Sequence, residues 1–172
     1  MLSVTTLLFV LWIVGRPIGG LRWRSWVYRR WARGMCRISG MRRSVRGAAP
    51  PAPCLIVSNH LSYMDIVLIA SHVDVVFVSK AEIARWPFVG MLARSVGTIF
   101  VERGDKRRLP EVNSLIHAAL DRGERVALFP EGTSSGGDSV GPFRASLLEP
   151  AASSRYPVHC AALRYGTPPG AP

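Results

Sequence analysis

Short apolar runs alternate with segments of helical character along the chain after residue 53. The strand-like runs span residues 54–58, 74–79, 98–101, 125–129 and 158–163. The helix-like segments span residues 62–71, 86–95, 109–120 and 143–152. Strands that alternate with helices are typical of βαβ units, in which the strands run parallel. The sequence therefore predicts an α/β fold with a mostly parallel central sheet flanked by helices.

The first 53 residues differ from the rest of the chain in charge. They contain ten arginines and no acidic residue, whereas the whole chain has 22 basic and 11 acidic residues and a formal net charge of +11. Residues 1–15 are apolar and uncharged, and residues 21–39 combine arginine with tryptophan. This composition is typical of a membrane interface. We expect an N-terminal membrane-associated helical pair that binds an anionic membrane surface on the cytoplasmic face of the cell membrane, as in a bacterial inner membrane.

Two other interpretations of this region stay open. Nucleic-acid-binding proteins also carry basic arms, although the interleaved aromatic residues favour lipid, and we expect no nucleic-acid partner. Alternatively, the second helix is a solvated basic helix that packs on the domain by its tryptophans. We predict membrane-associated helices in residues 1–46, a short linker rich in proline and alanine in residues 47–53, and one domain in residues 54–172.

A histidine and a carboxylate stand five positions apart directly after the first predicted strand, in His60-Leu61-Ser62-Tyr63-Met64-Asp65. Residues five apart on one helix are rotated by roughly 140°, so a contact between His60 and Asp65 requires the chain to turn between them. A carboxylate that holds an imidazole fixes its tautomer and stabilises its cation, as a general base requires. The alternative is structural, because Ser62 and Asp65 also fit a capping box at a helix start.

Two further polar clusters follow predicted strands. Arg103 follows the third strand, and Glu131, Gly132 and Thr133 follow the fourth. Ligands of parallel α/β sheets bind beyond the carboxyl ends of the strands, so these clusters are expected to converge on one site. Arg103 offers a planar fork suited to phosphate. Gly132 permits close backbone approach, and Thr133 and Glu131 supply a hydroxyl and an acceptor. Each cluster by itself also has a structural interpretation: Arg103 as a solvated loop charge, and residues 130–133 as a turn.

The order and spacing of these clusters resemble the four successive motifs of the glycerolipid acyltransferase family, the 1-acylglycerol-3-phosphate acyltransferases. The segments that carry the resemblance are Asn59-His60-x-x-x-x-Asp65, Gly97-Thr98-Ile99-Phe100-Val101-Glu102-Arg103, Phe129-Pro130-Glu131-Gly132-Thr133, and Tyr156-Pro157-Val158 with Ala161-Ala162-Leu163-Arg164-Tyr165. Residues 78–82 and 86–90 also resemble the family between its first and second motifs. Because the resemblance covers residues 54–165, we interpret residues 54–172 as an acyltransferase domain.

The resemblance implies direct acyl transfer without a covalent acyl-enzyme. His60, oriented by Asp65, is then expected to take the proton of the free hydroxyl of 1-acylglycerol 3-phosphate while that hydroxyl attacks the thioester of acyl-CoA or acyl carrier protein. The product is phosphatidic acid. The residues implied in binding the acceptor are Lys80, Arg103, Glu131, Gly132 and Thr133. No cofactor is implied, and the spacing of the cysteines and histidines predicts no metal site.

The chain departs from the family pattern at three places. Cys160 stands where family members often have proline, and Ser134 stands where arginine is common. The chain stops at Pro172, a few residues after the fourth motif, and both a shorter natural variant and an incomplete reading frame stay open. Two alternative functions are the same chemistry on another lysolipid, such as a lyso-ornithine lipid, and a catalytically inactive peripheral membrane protein.

Overall fold

The computed structural model describes residue 20 and residues 23–102, 106–135 and 139–166. Residues 23–38 are the described part of helix α1. The elements that follow are β1 (Cys54–Ser58), α2 (Met64–His72), β2 (Val76–Lys80), α3 (Val89–Ser95), β3 (Ile99–Val101), α4 (Leu109–Asp121), β4 (Arg125–Leu128), α5 (Ala145–Ala152) and β5 (Val158–Ala161). Short 3-10 helices at Ala81–Arg85 and Lys106–Arg108 precede α3 and α4. Each predicted strand and helix beyond residue 53 is present, with small shifts at its ends.

The five strands of the described chain run parallel in one sheet with the order β3-β2-β4-β1-β5. This confirms the predicted mostly parallel α/β sheet. β1 lies between β4 and β5, with Val57 opposite Leu128 on one side and Cys160 on the other. The chain therefore leaves β1, β4 and β5 at the same edge of the sheet, where polar loops that are distant in sequence meet.

The strands direct alternate side chains into two hydrophobic cores, one on each face of the sheet. Ile56 and Phe77 pack in the core that contains residues of α1 and α2. Leu55 and Val76 pack in the core that contains residues of α4. Because helices cover both faces, every residue of β1 is buried. This burial explains why β1 has a continuous apolar run instead of an alternating pattern.

Helix α1 is part of the first of these cores, because Tyr28, Ala32 and Cys36 are buried there. Burial raises the pKa of Tyr28. Helix α1, the described part of the second predicted membrane helix, thus shares a hydrophobic core with the domain that follows the predicted linker. No helix among the described residues is both long enough and apolar enough to cross a bilayer. Membrane association of this region stays a prediction, and the first predicted helix, within residues 1–15, lies outside the described residues.

Three arginines of α1 bond to the domain. Arg29 Nε donates to Asp74 Oδ1 at 3.1 Å, and Arg33 Nε donates to a backbone carbonyl oxygen of α2 at 3.0 Å. Arg24 forms an ion pair with Glu124, which is nearly buried. The sequence predicts that such arginines extend to lipid phosphates. These three instead use their guanidinium groups to attach the helix to α2 and to the residues that precede β2 and β4.

The connection between β2 and α3 contains a strained turn. Phe88 has φ 59° and ψ −52°, and the Val89 N–H donates to the Pro87 carbonyl oxygen at 2.6 Å. This is a γ-turn of the rare positive-φ kind. A non-glycine residue in such a conformation costs on the order of 1–3 kcal/mol and persists only where its surroundings fix it. Since Phe88 is not helical, α3 begins at Val89 and not at residue 86 as predicted.

Gly90 allows the start of α3 to lie directly against the preceding 3-10 helix. A Cβ atom at this position would lie 2.8 Å from the Ile83 carbonyl oxygen and closer still to the Ala84 carbonyl oxygen. Both neighbours are backbone atoms, which cannot rotate away as a side chain can. The contact therefore restricts residue 90 to glycine and fixes the turn at Phe88 from its C-terminal side.

We expect Gly90→Ala to lower the free energy of unfolding by about 1–3 kcal/mol, because the added methyl group separates two packed backbone segments. Urea unfolding followed by circular dichroism measures the change. Gly166→Ala is the matched control, since a Cβ there meets no atom within 4 Å, and it should stay within about 0.5 kcal/mol of the parent chain. Equal stability of the two variants would contradict the proposed contact.

Candidate active site

The turn between β1 and α2 brings His60 and Asp65 together. His60 Nδ1 lies 2.7 Å from Asp65 Oδ2. The imidazole stacks on Phe129, with ring centroids 4.3 Å apart. An ionised carboxylate accepts the proton on Nδ1, so the second ring nitrogen, Nε2, is left as a proton acceptor. The required turn between the two residues is therefore present, and the pair has the geometry of an oriented general base.

Asp65 is fully buried and accepts several hydrogen bonds besides that of His60. Its Oδ2 also accepts the N–H groups of Leu61 at 2.6 Å and Ser62 at 3.0 Å. Its Oδ1 accepts the Tyr165 hydroxyl at 2.7 Å. Burial by itself would raise the pKa of Asp65, but the hydrogen bonds from His60, Tyr165 and the backbone together hold this pKa below its ordinary value. Asp65 thus combines the N-terminal capping role with that of partner to His60.

Tyr165 is a member of the site that the sequence did not identify. It stands 100 residues from Asp65, after β5, and no periodicity connects the two. Burial and the neighbouring Asp65 carboxylate raise the pKa of Tyr165. The phenol therefore remains protonated and donates to Asp65. Its place within the last motif quoted above was the only signal in the sequence.

Glu131 fixes the backbone of His60. The His60 N–H donates to Glu131 Oε1 at 2.6 Å, and the Gly141 N–H donates to Glu131 Oε2 at 2.7 Å. The carboxylate is nearly buried. The sequence indicated Glu131 as a hydrogen-bond acceptor that contributes to binding the acceptor substrate. The structure instead directs each of its oxygens to a backbone N–H, so it joins the loops after β1 and β4.

Asn59 makes a similar connection between the loops after β1 and β5. Its side-chain Nδ2 donates to the Leu163 carbonyl oxygen at 3.0 Å, and its Oδ1 accepts the Leu163 N–H at 2.7 Å. The side chain replaces the backbone partner that another strand residue would provide. Together with Ser135, whose N–H donates to the His60 carbonyl oxygen at 2.9 Å, these bonds attach the turn around His60 to the loops after β4 and β5.

His60 lines a cavity of about 310 Å³ at this edge of the sheet. Most of the wall is apolar and comes from helices α1, α2, α3 and α5 and from the strands; examples are Tyr28, Trp31, Met64, Phe77, Leu92 and Leu147. Besides the Tyr and Trp rings, the polar side chains of the wall are His60, Ser79, Lys80, Thr98, Thr133 and Ser134, and Gly132 contributes backbone. A cavity with apolar walls and a small number of convergent polar groups is suited to a lipid-like ligand.

The predicted site residues occupy different positions around this cavity. Lys80 is the last residue of β2 and lines the cavity. Thr133 also lines the cavity and is exposed. Gly132 has φ +72°, and a Cβ there would lie 3.1 Å from Arg144 Nε. Both the backbone conformation and the close guanidinium thus favour glycine. Arg103 lies outside the described residues.

The loop after β4 contains two Gly-x-Ser-x-Gly sequences, in residues 132–136 and 137–141. Such a sequence marks a catalytic serine where it forms a sharp turn from a strand directly into a helix. Here β4 ends at Leu128 and α5 begins at Ala145. Neither Ser134 nor Ser139 therefore occupies a nucleophile elbow. Ser134 still lines the cavity, which makes it the serine to examine as an alternative nucleophile.

Comparison with known proteins identifies close relatives of the chain. The lyso-ornithine lipid O-acyltransferase of Rhizobium meliloti (strain 1021) is 39% identical over 145 residues, which are 84% of this chain and 48% of that protein. The 1-acyl-sn-glycerol-3-phosphate acyltransferase of Neisseria gonorrhoeae is 34% identical over 115 residues, which are 67% of this chain and 45% of that protein. The chain thus spans about half the length of the curated relatives it matches.

A solved structure has the same fold. The 1-acyl-sn-glycerophosphate acyltransferase PlsC from Thermotoga maritima is similar with a TM-score of 0.59 and 21% sequence identity, over 91% of this chain and 71% of that one. At that identity the likeness concerns the fold alone. The family model described as Acyltransferase matches residues 42–164, which include the His60–Asp65 turn and all five strands of the described sheet. On this match and these relatives, the chain belongs to the acyltransferase family.

Proposed function

We propose that this protein transfers a fatty acyl group from a thioester donor to the free hydroxyl of a lysolipid. The observation that carries the proposal is the His60–Asp65 pair, fixed by buried hydrogen bonds, beside a cavity with apolar walls. A lysolipid hydroxyl has a high pKa and requires a base at the moment of attack. The apolar wall provides a place for an acyl chain next to that base.

The reaction proceeds in one active site without a covalent acyl-enzyme. Nε2 of His60 takes the hydroxyl proton as the oxygen attacks the thioester carbonyl carbon. The C–S bond then breaks, and the imidazolium returns the proton to the leaving thiolate. An ester and a free thiol are the products, so atoms and charge balance. The ionised Asp65 stabilises the imidazolium between the two steps.

The headgroup of the acceptor lies near the cationic groups at the rim. Lys80 is the described cation at the cavity, and Arg103, Gly132 and Thr133 are further candidates from the sequence. Glu131 contributes by holding the backbone of His60. An ammonium group at this place suits a phosphate or a carboxylate, so it is compatible with either 1-acylglycerol 3-phosphate or a lyso-ornithine lipid.

Between these acceptors we favour the lyso-ornithine lipid. Relatives with that name reach 39% and 36% identity over 84% and 88% of this chain, whereas the named 1-acyl-sn-glycerol-3-phosphate acyltransferase of Neisseria gonorrhoeae reaches 34% over 67%. We propose acyl-CoA or acyl carrier protein as the donor and the cytoplasmic face of the cell membrane as the location. An inactive lipid-binding protein is the alternative, and a transfer assay distinguishes it from an enzyme.

Detergent-solubilised protein should transfer a labelled acyl group to a lyso-ornithine lipid faster than to 1-acylglycerol 3-phosphate, with acyl-CoA and acyl carrier protein offered separately. His60→Ala should lower the rate at least 10²-fold, the lower range for a general base. Ser134→Ala should retain the parent rate within a few fold, because direct transfer needs no serine. Loss of activity in Ser134→Ala with retention in His60→Ala would replace direct transfer by an acyl-serine intermediate, and lipid binding with no transfer would indicate an inactive protein.

Tyr165→Phe should make the chain more sensitive to acid. Ionised Asp65 contributes stability above its ordinary pKa of 3.8, and this contribution is lost as pH falls through its lowered folded pKa. Without the phenol the folded pKa rises towards 3.8, so acid unfolding begins at a higher pH. Tyr156→Phe is the control, since Tyr156 also donates to an aspartate, Asp121. The Asp121 carboxylate is exposed, so water replaces the lost phenol, and the acid transition of this variant should change little. If Tyr165→Phe and Tyr156→Phe unfold in acid at the same pH, Tyr165 does not stabilise the ionised Asp65.

Glu131→Gln should lower the free energy of unfolding by about 1–3 kcal/mol and reduce kcat more than it raises KM. The amide supplies one acceptor oxygen where two N–H groups need one each, so either His60 or Gly141 loses its partner. Chemical unfolding and steady-state kinetics measure the two effects. The exposed Glu149→Gln loses the same charge and should behave as the parent chain. A Glu131 variant that changes KM alone would indicate contact with the acceptor.

A further inference from the structure

Exposed apolar side chains cluster at the mouth of the cavity, around the turn between β2 and α3. Trp86 and Val89 line the cavity and are 45% and 49% exposed. Phe88 is 76% exposed, the highest value among the large apolar side chains recorded for the described chain. Tyr63 approaches Trp86 from α2's side, with ring centroids 6.1 Å apart. We call Tyr63, Trp86, Phe88, Val89 and Met91 the rim patch.

The backbone conformation at residues 87–90 keeps the Phe88 side chain exposed. Phe88 occupies the centre of the positive-φ γ-turn, a conformation that glycine adopts far more readily. Gly90 fixes the residue beyond it, since any side chain there would strike the backbone at Ile83 and Ala84. Packing gives no reason for an aromatic ring at this position, because most of the ring is in water. The strained turn therefore presents an apolar side chain that the fold itself does not use.

Charge around the patch favours an anionic surface. Arg85 immediately precedes Trp86, and Arg94 follows Met91 by one helical turn on α3; both are exposed. Glu82 is the acidic residue of the same segment, so residues 81–95 carry a net charge of +1. Arginine beside tryptophan, with phenylalanine projecting beyond them, matches the interface between lipid headgroups and acyl chains.

We propose that the rim patch is a membrane-docking surface, which inserts Phe88 into an anionic lipid bilayer and places the cavity mouth against it. The lipid nature of the partner rests on the proposed function, because a lysolipid acceptor resides in a bilayer. The rim patch consists of residues that follow residues 1–46, the region that the sequence predicts to be membrane-associated. A lipid acceptor could then pass from bilayer to cavity along Trp86 and Val89 without exposing its chain to water.

The direct test places a polarity-sensitive fluorophore on the full chain at residue 88. Cys160 is exposed, whereas Cys36 and Cys54 are buried, so Phe88→Cys is labelled in a Cys160→Ser background. The matched control is Leu115→Cys, because Leu115 is a 47% exposed side chain on α4, which packs against the other core. Vesicles contain equal phosphatidylglycerol and phosphatidylcholine, with spin-labelled lipid as quencher and with no acyl donor.

A blue shift and spin-label quenching at residue 88, without either at residue 115, is the result we expect. Equal responses at the two positions, or none at residue 88, would overturn the proposal. A blue shift that grows with protein concentration without vesicles would assign the patch to a second copy of this chain. A shift caused by acyl carrier protein alone would assign it to that acidic protein; both results also overturn the proposal. Since no reaction occurs in this experiment, its outcome is independent of catalytic activity.

Phe88→Gly separates membrane binding from folding. It should weaken partition to the same vesicles by roughly tenfold, the factor for one large apolar side chain no longer removed from water. Its urea unfolding midpoint should be unchanged or higher, since glycine relieves the turn. Phe88→Leu retains an apolar side chain and should retain most of the binding. Parent-like partition of a folded Phe88→Gly would exclude Phe88 from the membrane contact.

Discussion

The buried carboxylate of Asp65 is the interaction on which the rest of the site depends. An ionised carboxylate removed from water is stable only if protein donors replace its hydration. Here those donors come from two elements: the turn after β1, through His60, Leu61 and Ser62, and the segment after β5, through Tyr165. Correct solvation of one charge therefore requires that both loops reach their folded positions. The same requirement orients the imidazole, so folding and site assembly are coupled.

A second carboxylate, that of Glu131, also holds His60 in place. Asp65 holds the ring of His60, and Glu131 holds its backbone N–H. Asn59 then bonds both backbone groups of Leu163. In loops that lack strand partners, these side chains satisfy backbone groups that would otherwise be buried without hydrogen bonds. The loops at this edge of the sheet thus gain the rigidity that the proposed general base requires.

The sequence predicted the parts of this architecture that depend on local patterns. The alternation of apolar runs with helix-like segments after residue 53 was sufficient to predict the parallel sheet, and the spacing of His60 and Asp65 showed that a contact between them requires a turn. The sequence could not show that the Glu131 carboxylate accepts a backbone N–H, because the donor, His60, is 71 residues away. Nor could a helical pattern rich in arginine reveal that α1 bonds to the domain, since the acceptors lie on α2 and in the loops before β2 and β4. Contacts between distant residues need the fold before they can be inferred.

The strained turn at Phe88 poses a question that folding energetics alone does not answer. Its backbone conformation costs free energy, and its ring recovers little because it is mostly exposed. A ring in this position gains free energy only where another apolar phase is available. The proposed function imposes the same condition on the cavity, because a lipid chain would have to reach its apolar wall while a thioester donor arrives from water. An enzyme with the proposed substrates must contact both water and lipid at this edge of the sheet, and the rim patch is suited to contact with lipid.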